Sequence, residues 1–316
     1  MATQNKTQNK IQNKPDTLDS SIDVVTPAFA FSRANFKELF MKTLKIHAMS
    51  LVISGVILLV FCLISAGIFF AGTTVTKDNT MTIAITILAG IFLLAGIIIA
   101  GWIGTAISST IITLVKERFE NKSTDIRNVF EELKIPVLKY MALRFGLMIA
   151  GIGLPALVIL LPIAYFGGNI GVLAASIIGI IYFVLFILAF AFLSQFWLLE
   201  IVLNKKGTVE ALKYSFGLAK KNLLGVFIYD IIIVIAGIVI GIPFGIVDFG
   251  MRVVLQLGIG VSGIIQDSGA ILGTMIIGIG LYLIIKLMLV CVEAALNSTL
   301  IFPYKYLFWK EIGKQK

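Results

Sequence analysis

Charge is scarce in this chain. Only 14% of its 316 residues are Asp, Glu, Lys or Arg, against about 25% in a soluble domain. The mean hydropathy is +1.02, and apolar runs longer than 20 residues recur along the sequence. That combination excludes an ordinary soluble domain and places the chain in the integral-membrane class. Cysteine is scarce too. Cys62 and Cys291 both lie inside apolar runs, where a thiol behaves as a small buried hydrophobe. Two such residues make neither a disulfide framework nor a metal-ligand spacing. His47 is the single histidine, so a zinc site or a histidine-activated nucleophile is not expected. An apolar stretch close to the amino terminus is also missing, and a cleavable signal peptide needs one. The first span is therefore expected to be retained as an anchor, and no cofactor is expected anywhere.

What is present begins with a repeat. Residues 3–14 read TQNK-TQNK-IQNK. Polar low complexity of this kind buries too little apolar surface to fold, so residues 1–28 are read as a disordered tail. Six apolar runs follow, at about 48–72, 81–115, 137–166, 170–203, 223–249 and 270–300. Each exceeds the roughly 20 residues that cross a hydrocarbon core as a helix. The expected fold is an all-α, six-helix integral membrane bundle over residues 29–310, with a short tail at 311–316. Residues 250–269 are too polar for a span and too apolar for an ordinary loop. Two readings stay open for them, an interfacial or re-entrant piece and a loop packed on the helix ends.

The formal charge of +9 does not indicate nucleic acid, because the basic residues collect at the ends of apolar runs. Lysines and arginines are dense before the first run, after the second, after the fourth and after the sixth. The other three connections hold only Lys77 and Arg252. This alternation predicts six spans with both termini in the cytoplasm of a cell membrane. Anionic lipid headgroups at the cytoplasmic face are the expected partners, along with the bilayer itself and unspecified proteins.

Three basic connectors share a design. GTVEALKYSFGLAKKN, residues 207–222, offers Thr208 as N-cap, Glu210 in the first turn and Lys220 and Lys221 at the end, each at the end the helix dipole favours. Val209, Leu212, Phe216 and Ala219 share one face. Before the third run, Thr124 is the predicted cap, with Ile126, Val129, Phe130 and Leu133 as the apolar face and Pro136 at the break. Before the first, Ser32 caps a helix with Phe36, Leu39, Phe40 and Leu44 on one side. Helices of this kind lie in the membrane interface, apolar face down.

The segment FWLLEIVLNKKGTVEALKYSFGLAKKNLLGVFIYDIII resembles the signature of a broad group of prokaryotic membrane proteins of unknown activity. That group is similar to the membrane domain attached to some glycerophosphoryl diester phosphodiesterases. The matching positions are Glu200 ending a span, Gly207, Ala211, Leu212, Ser215, Lys221 and Asn222. The resemblance implies six spans. It implies no phosphodiesterase activity, because the soluble catalytic domain of those enzymes has no counterpart here.

Small residues recur every fourth position at Gly96, Ala100, Gly104 and Ser108, and again at Gly237, Gly241 and Gly245. In lipid such stripes permit close helix contact. Charge inside a span is costly. Arg144, Asp230, Lys286 and Glu293 are therefore read as one buried, charge-balanced cluster, supported by Asn297 and Gln195. Tyr282 shares a helix face with Lys286, Glu293 and Asn297. The cluster reads either as a strut that fixes helix register or as a proton- or solute-linked site. Asp248 and Arg252 are read as an exposed outer pair. The expected function is a non-enzymatic membrane module that assembles with lipid or protein. The rival is a small-solute or proton-linked transporter. A lipid-modifying enzyme would need a nucleophile-and-base or metal constellation, and none is recognisable.

Overall fold

The computed structural model describes residues 20–75, 79–122, 125–264 and 268–313. Its elements, in chain order, are α1 (Ser20–Asp23), α2 (Val25–Ala34), α3 (Phe36–Val75), α4 (Asn79–Phe119), α5 (Ile126–Met148), α6 (Leu161–Phe166), α7 (Gly168–Ser194), α8 (Trp197–Asn204), α9 (Thr208–Lys221), α10 (Leu223–Ile264) and α11 (Ser268–Gly313). Two π turns, Ile149–Gly153 and Ala156–Leu160, join α5 to α6. No strand occurs among the described residues, and the fold is all-α.

Six stretches are long and apolar enough to cross a membrane: Phe36–Gly72, Thr80–Phe119, Ile126–Phe166, Gly168–Asn204, Leu223–Leu257 and Ile277–Gly313. Their large side chains are widely exposed, among them Val158, Ile170, Leu185, Ile238 and Val254. That surface is what a bilayer covers, and this is a multi-pass membrane protein. The shortest stretch has 35 residues. At 1.5 Å per residue it is about 50 Å long, against a hydrocarbon core of about 30 Å. The helices therefore overhang the core, which the apolar runs alone understate.

The overhang absorbs two of the three expected interfacial helices. Ser32 does not cap a helix; it is buried within α2. The break comes at Asn35, whose side-chain amide donates to Phe31 O at 2.9 Å. From Phe36 the chain stays helical to Val75. In the same way α5 passes through Pro136 without stopping. Its N-cap is Asp125, which accepts from the Arg127 N–H at 3.0 Å; Thr124 lies outside the described residues. Only α9 stands as a helix separate from the span it precedes.

Two further boundaries move. The expected tail reached residue 28, but helix is already present at Ser20. Val24, Ala28 and Ser32, spaced by four, are buried on one helical stripe. The 250–269 segment is not a loop as far as Ile264, because α10 runs through Gly250 without a break.

The helices sort into two compact units. One comprises Met1–Leu51 and Phe227–Glu311, and the other is built on Val52–Val226. In the first, α10 and α11 pack antiparallel. Tyr229 stacks on Tyr304 and Phe308, with ring centroids 5.3 and 4.5 Å apart. The start of α3 joins them: the Thr43 hydroxyl lies 3.1 Å from that of Thr299, and His47 Nε2 lies 2.8 Å from Ser298 Oγ.

In the second unit α3 and α4 meet where Gly96 faces Phe61. A Cβ at Gly96 would fall 2.4 Å from the Phe61 Cβ. One turn on, Ser54 Oγ donates to Ala100 O at 3.0 Å. The π turns have a local cause. Pro155 carries no N–H, so Gly151 O loses its α-helical donor. The Tyr182 hydroxyl on α7 donates to that carbonyl instead, at 2.5 Å. Gly151 also leaves the room that the Phe186 ring fills, since a Cβ there would lie 2.1 Å from it.

Candidate functional site

The fourth span is broken near one end. Helix α7 stops at Ser194, α8 starts at Trp197, and Gln195 and Phe196 form the turn between them. A broken helix leaves carbonyls and N–H groups without partners, and in or near lipid these must be met from within the protein. Ser215 on α9 does this on both sides of the break. Its hydroxyl donates to Leu193 O at 2.8 Å and accepts from the Phe196 N–H at 3.3 Å. Ser215 is fully buried. Trp197 Nε1 completes the attachment by donating to Thr208 O at 2.8 Å.

The chain reaches α9 through a tight corner. Lys205 takes the left-handed conformation, φ 53°, which costs a non-glycine residue about 1–2 kcal/mol. This conformation brings the Lys205 and Lys206 N–H groups to Glu200 O. The Glu200 carboxylate has no exposed surface. It is held by Lys206 Nζ at 2.8 Å and Asn204 Nδ2 at 2.9 Å. The Lys206 ammonium also lies 3.3 Å from the centre of the Tyr214 ring. A buried carboxylate needs this degree of compensation, because burial without a partner costs several kcal/mol.

The motif residues thus have distinct physical tasks. Glu200 anchors the corner. Gly207 is the residue before α9, and its carbonyl accepts from the Ala211 N–H at 2.8 Å. Ala211 packs in the core of Tyr140, Phe190, Trp197 and Ile201, with Leu212 against its edge. Asn222 closes α9, its Nδ2 donating to Leu218 O at 3.0 Å. Lys221 is exposed.

The covered face of α9 is rotated from the one the periodicity singles out. Ala211, Ser215, Leu218 and Ala219 are buried, Leu212 and Phe216 pack at the edge, and Val209 is 54% exposed. Three of the four buried residues are small, which lets α9 press on the α7–α8 break. The opposite side presents Lys213, Lys220 and Lys221, none of which makes an ion pair among the described residues. Three other lysines at this end are neutralised within the unit: Lys122 by Glu120, Lys134 by Glu131 and Lys205 by Glu132.

The four members of the expected charge cluster that lie in the first unit do not meet as one site. Arg144 and Gln195 belong to the second unit; Asp230, Lys286, Glu293 and Asn297 belong to the first. Within the first unit the register of α10 against α11 separates them. Tyr229 faces Tyr304, Gly241 faces Glu293 and Asp248 faces Lys286. Asp230 and Lys286 are therefore opposite levels about 27 Å apart along the helices. Lys286 Nζ binds Asp248 at 2.6 Å, and Arg252 binds the same carboxylate at 2.9 Å. Tyr282 donates to Asp248 at 3.2 Å. The pair read as exposed is the centre of this set, since the Asp248 side chain is only 14% exposed.

Two polar groups on α11 are left over. Glu293 Oε1 would lie 3.5 Å from a Cβ at Gly241, and no side chain pairs with it among the described residues. One turn on, Asn297 Oδ1 is buried without a hydrogen-bond partner. Gln195 Nε2, in the α7–α8 turn, is buried and unpartnered likewise. Arg144 is exposed and donates to the Tyr140 hydroxyl on its own helix. Of the small-residue stripes, Gly96 and Ala100 meet the first span, while Gly104 and Ser108 are half-buried. Gly237 and Gly245 face open space. Among the described residues no group of three or more His, Cys, Asp or Glu is placed to hold a metal ion.

Sequence reasoning marked Glu200 and Ser215 but missed Asn204, Lys206 and Tyr214. Their meeting depends on the left-handed Lys205, which no periodicity signals. A family profile described as a domain of unknown function (DUF7847) matches residues 24–299. No curated protein and no solved structure matches. The likeness to the phosphodiesterase membrane domain therefore rests on the motif residues alone.

Proposed function

The chain belongs to the DUF7847 family, and from that premise we propose that it is a non-enzymatic membrane module that engages anionic lipid. In this reading it lies in the cell membrane with both termini in the cytoplasm, which the alternation of basic connections supports. The observation that carries the reading is the two-sidedness of α9. One side is fixed to the span break by Ser215, Ala211 and Ala219. The other presents Lys213, Lys220 and Lys221, none of which makes an ion pair among the described residues. Those ammonium groups are held rigidly at the basic end, where a headgroup layer supplies the missing anions. Each lysine near an anionic surface contributes about 1 kcal/mol.

The test is lipid enrichment around the purified protein in bilayers of mixed phosphatidylglycerol and phosphatidylcholine. Wild type is expected to enrich phosphatidylglycerol in its shell. Replacing Lys213, Lys220 and Lys221 by Gln is expected to remove most of that enrichment, and enrichment that persists in the triple variant sinks the reading.

A second reading, a small-solute or proton-linked transporter, is favoured by Glu293 and Asn297. Both present polar groups from one face of α11 with no partner among the described residues, and an intramembrane ionisable group is costly unless it is used. A transporter requires water or solute to reach Glu293.

A further inference from the structure

Arg144 lies at a particular depth. The 22 residues Phe145–Phe166 that follow it carry no charge. At 1.5 Å per residue they extend about 33 Å, enough to fill a hydrocarbon core of about 30 Å. Arg144 is thus the last charge before the core, at the level of lipid glycerol and phosphate groups.

Its surroundings are unusual for that level. Leu133, Val137 and Tyr140 are buried along one stripe of α5. Arg144 continues the stripe at helical spacing but is exposed, so the covered face opens there. The side chain is oriented. The Tyr140 ring packs edge-on against Trp197, centroids 4.7 Å apart. Its hydroxyl accepts from Arg144 Nη1, and the guanidinium carbon lies 5.7 Å from the ring centre. A guanidinium has five N–H donors, and Tyr140 takes one. No acidic side chain pairs with Arg144 among the described residues.

We propose that Arg144, oriented by Tyr140, is a binding site for the phosphodiester of one anionic phospholipid. A planar fork of donors matches two phosphate oxygens at once. Phosphate is the anion abundant at this depth, and no carboxylate pairs with Arg144 among the described residues. The preference for an anionic over a zwitterionic headgroup follows from the charge of Arg144 itself, which has no acidic partner among the described residues: a choline ammonium on the same headgroup would be repelled by the guanidinium. The site deepens the lipid-binding reading of α9, but it uses different residues and holds a single molecule.

Native mass spectrometry on the full chain tests it, after release from bilayers of equal phosphatidylglycerol and phosphatidylcholine. Wild type is expected to retain one phosphatidylglycerol. Arg144→Gln is expected to lower that retention by about tenfold or more, the scale of a lost charge-assisted hydrogen bond. Arg144→Lys should fall between the two. Tyr140→Phe keeps the ring in the core and removes only the orienting hydroxyl; a several-fold loss is expected, even if Arg144→Gln fails to fold. The triple Lys213, Lys220 and Lys221 variant is expected to keep the retained lipid. Bulk enrichment that persists in that triple variant, with the single lipid kept, breaks the α9 reading alone and supports the Arg144 site. Equal retention by Tyr140→Phe and wild type overturns the proposal. So does equal retention of both lipids by wild type, or a dimer that dissociates in Arg144→Gln, which would put a second copy's acid on the guanidinium.

Discussion

The corner at α8–α9 and the middle of α11 are both polar regions of membrane-spanning elements, and they are treated oppositely. At the corner every charge has its counterpart: Glu200 is wholly buried, yet it is met by Lys206 and Asn204, and the broken helix is met by Ser215. On α11, Glu293 has no pairing side chain among the described residues and Asn297 Oδ1 is buried without a partner. The first arrangement is what a chain does with polar groups that hold it together. The second keeps a cost uncompensated, and that is the mark of groups retained for something other than stability.

The strongest way to break this contrast is at Glu200. Glu200→Ala leaves the Lys206 ammonium mostly buried without its carboxylate, and loss of one partner from a buried pair costs about 3–5 kcal/mol. The variant is expected to melt far below wild type in a detergent unfolding assay. Combining Glu200→Gln with Lys206→Met should recover much of the loss, because no lone charge then stays buried. A Glu200→Ala protein as stable as wild type would show that the corner carries no such interaction.

Ser215→Ala comes next. It removes a methyl-sized group and creates almost no cavity, so the loss is one of hydrogen bonding. Leu193 O and the Phe196 N–H would lose a common partner, at about 1–3 kcal/mol. Hydrogen exchange at Phe196 should rise by about one to two orders of magnitude. Exchange unchanged there would mean that the break is satisfied by other groups and that Ser215 is incidental.

The two regions also differed in how far they could be read in advance. The six spans followed from run length and the placement of lysines. Glu200, Ala211 and Ser215 were marked by the family resemblance, and the hydrogen-bond partners of Glu200 and Ser215 lie close along the chain. Lys206 escaped because its contact needs the left-handed Lys205. The buried face of α9 is rotated from the expected one because large apolar residues draw attention: Ala219 is buried as expected, but Val209 is exposed, and the small Ala211 and Ser215 make the closest contact. The four cluster members of the first unit are separated for a different reason: a face shared along one helix does not give the register between two helices. The real register of α10 on α11, set by Tyr229 on Tyr304 and Asp248 on Lys286, places Asp230 and Glu293 about 16 Å apart along the helix axis.

The smallest expected effect on stability is at Glu293, and it is the most informative. Glu293→Gln preserves volume and removes the charge. With no ion pair to lose and a costly charge removed, stability should not fall, and the variant should accumulate at least as well as wild type. The same variant divides the two functional readings. If the chain moves a solute or a proton, losing the carboxylate abolishes uptake in reconstituted vesicles while the fold is untouched. If it is a lipid module, phosphatidylglycerol enrichment is unaltered, because α9 and Arg144 are unchanged. A Glu293→Gln protein that unfolds would reverse the contrast itself. It would mean that this carboxylate, like that of Glu200, is held by a partner and serves the structure.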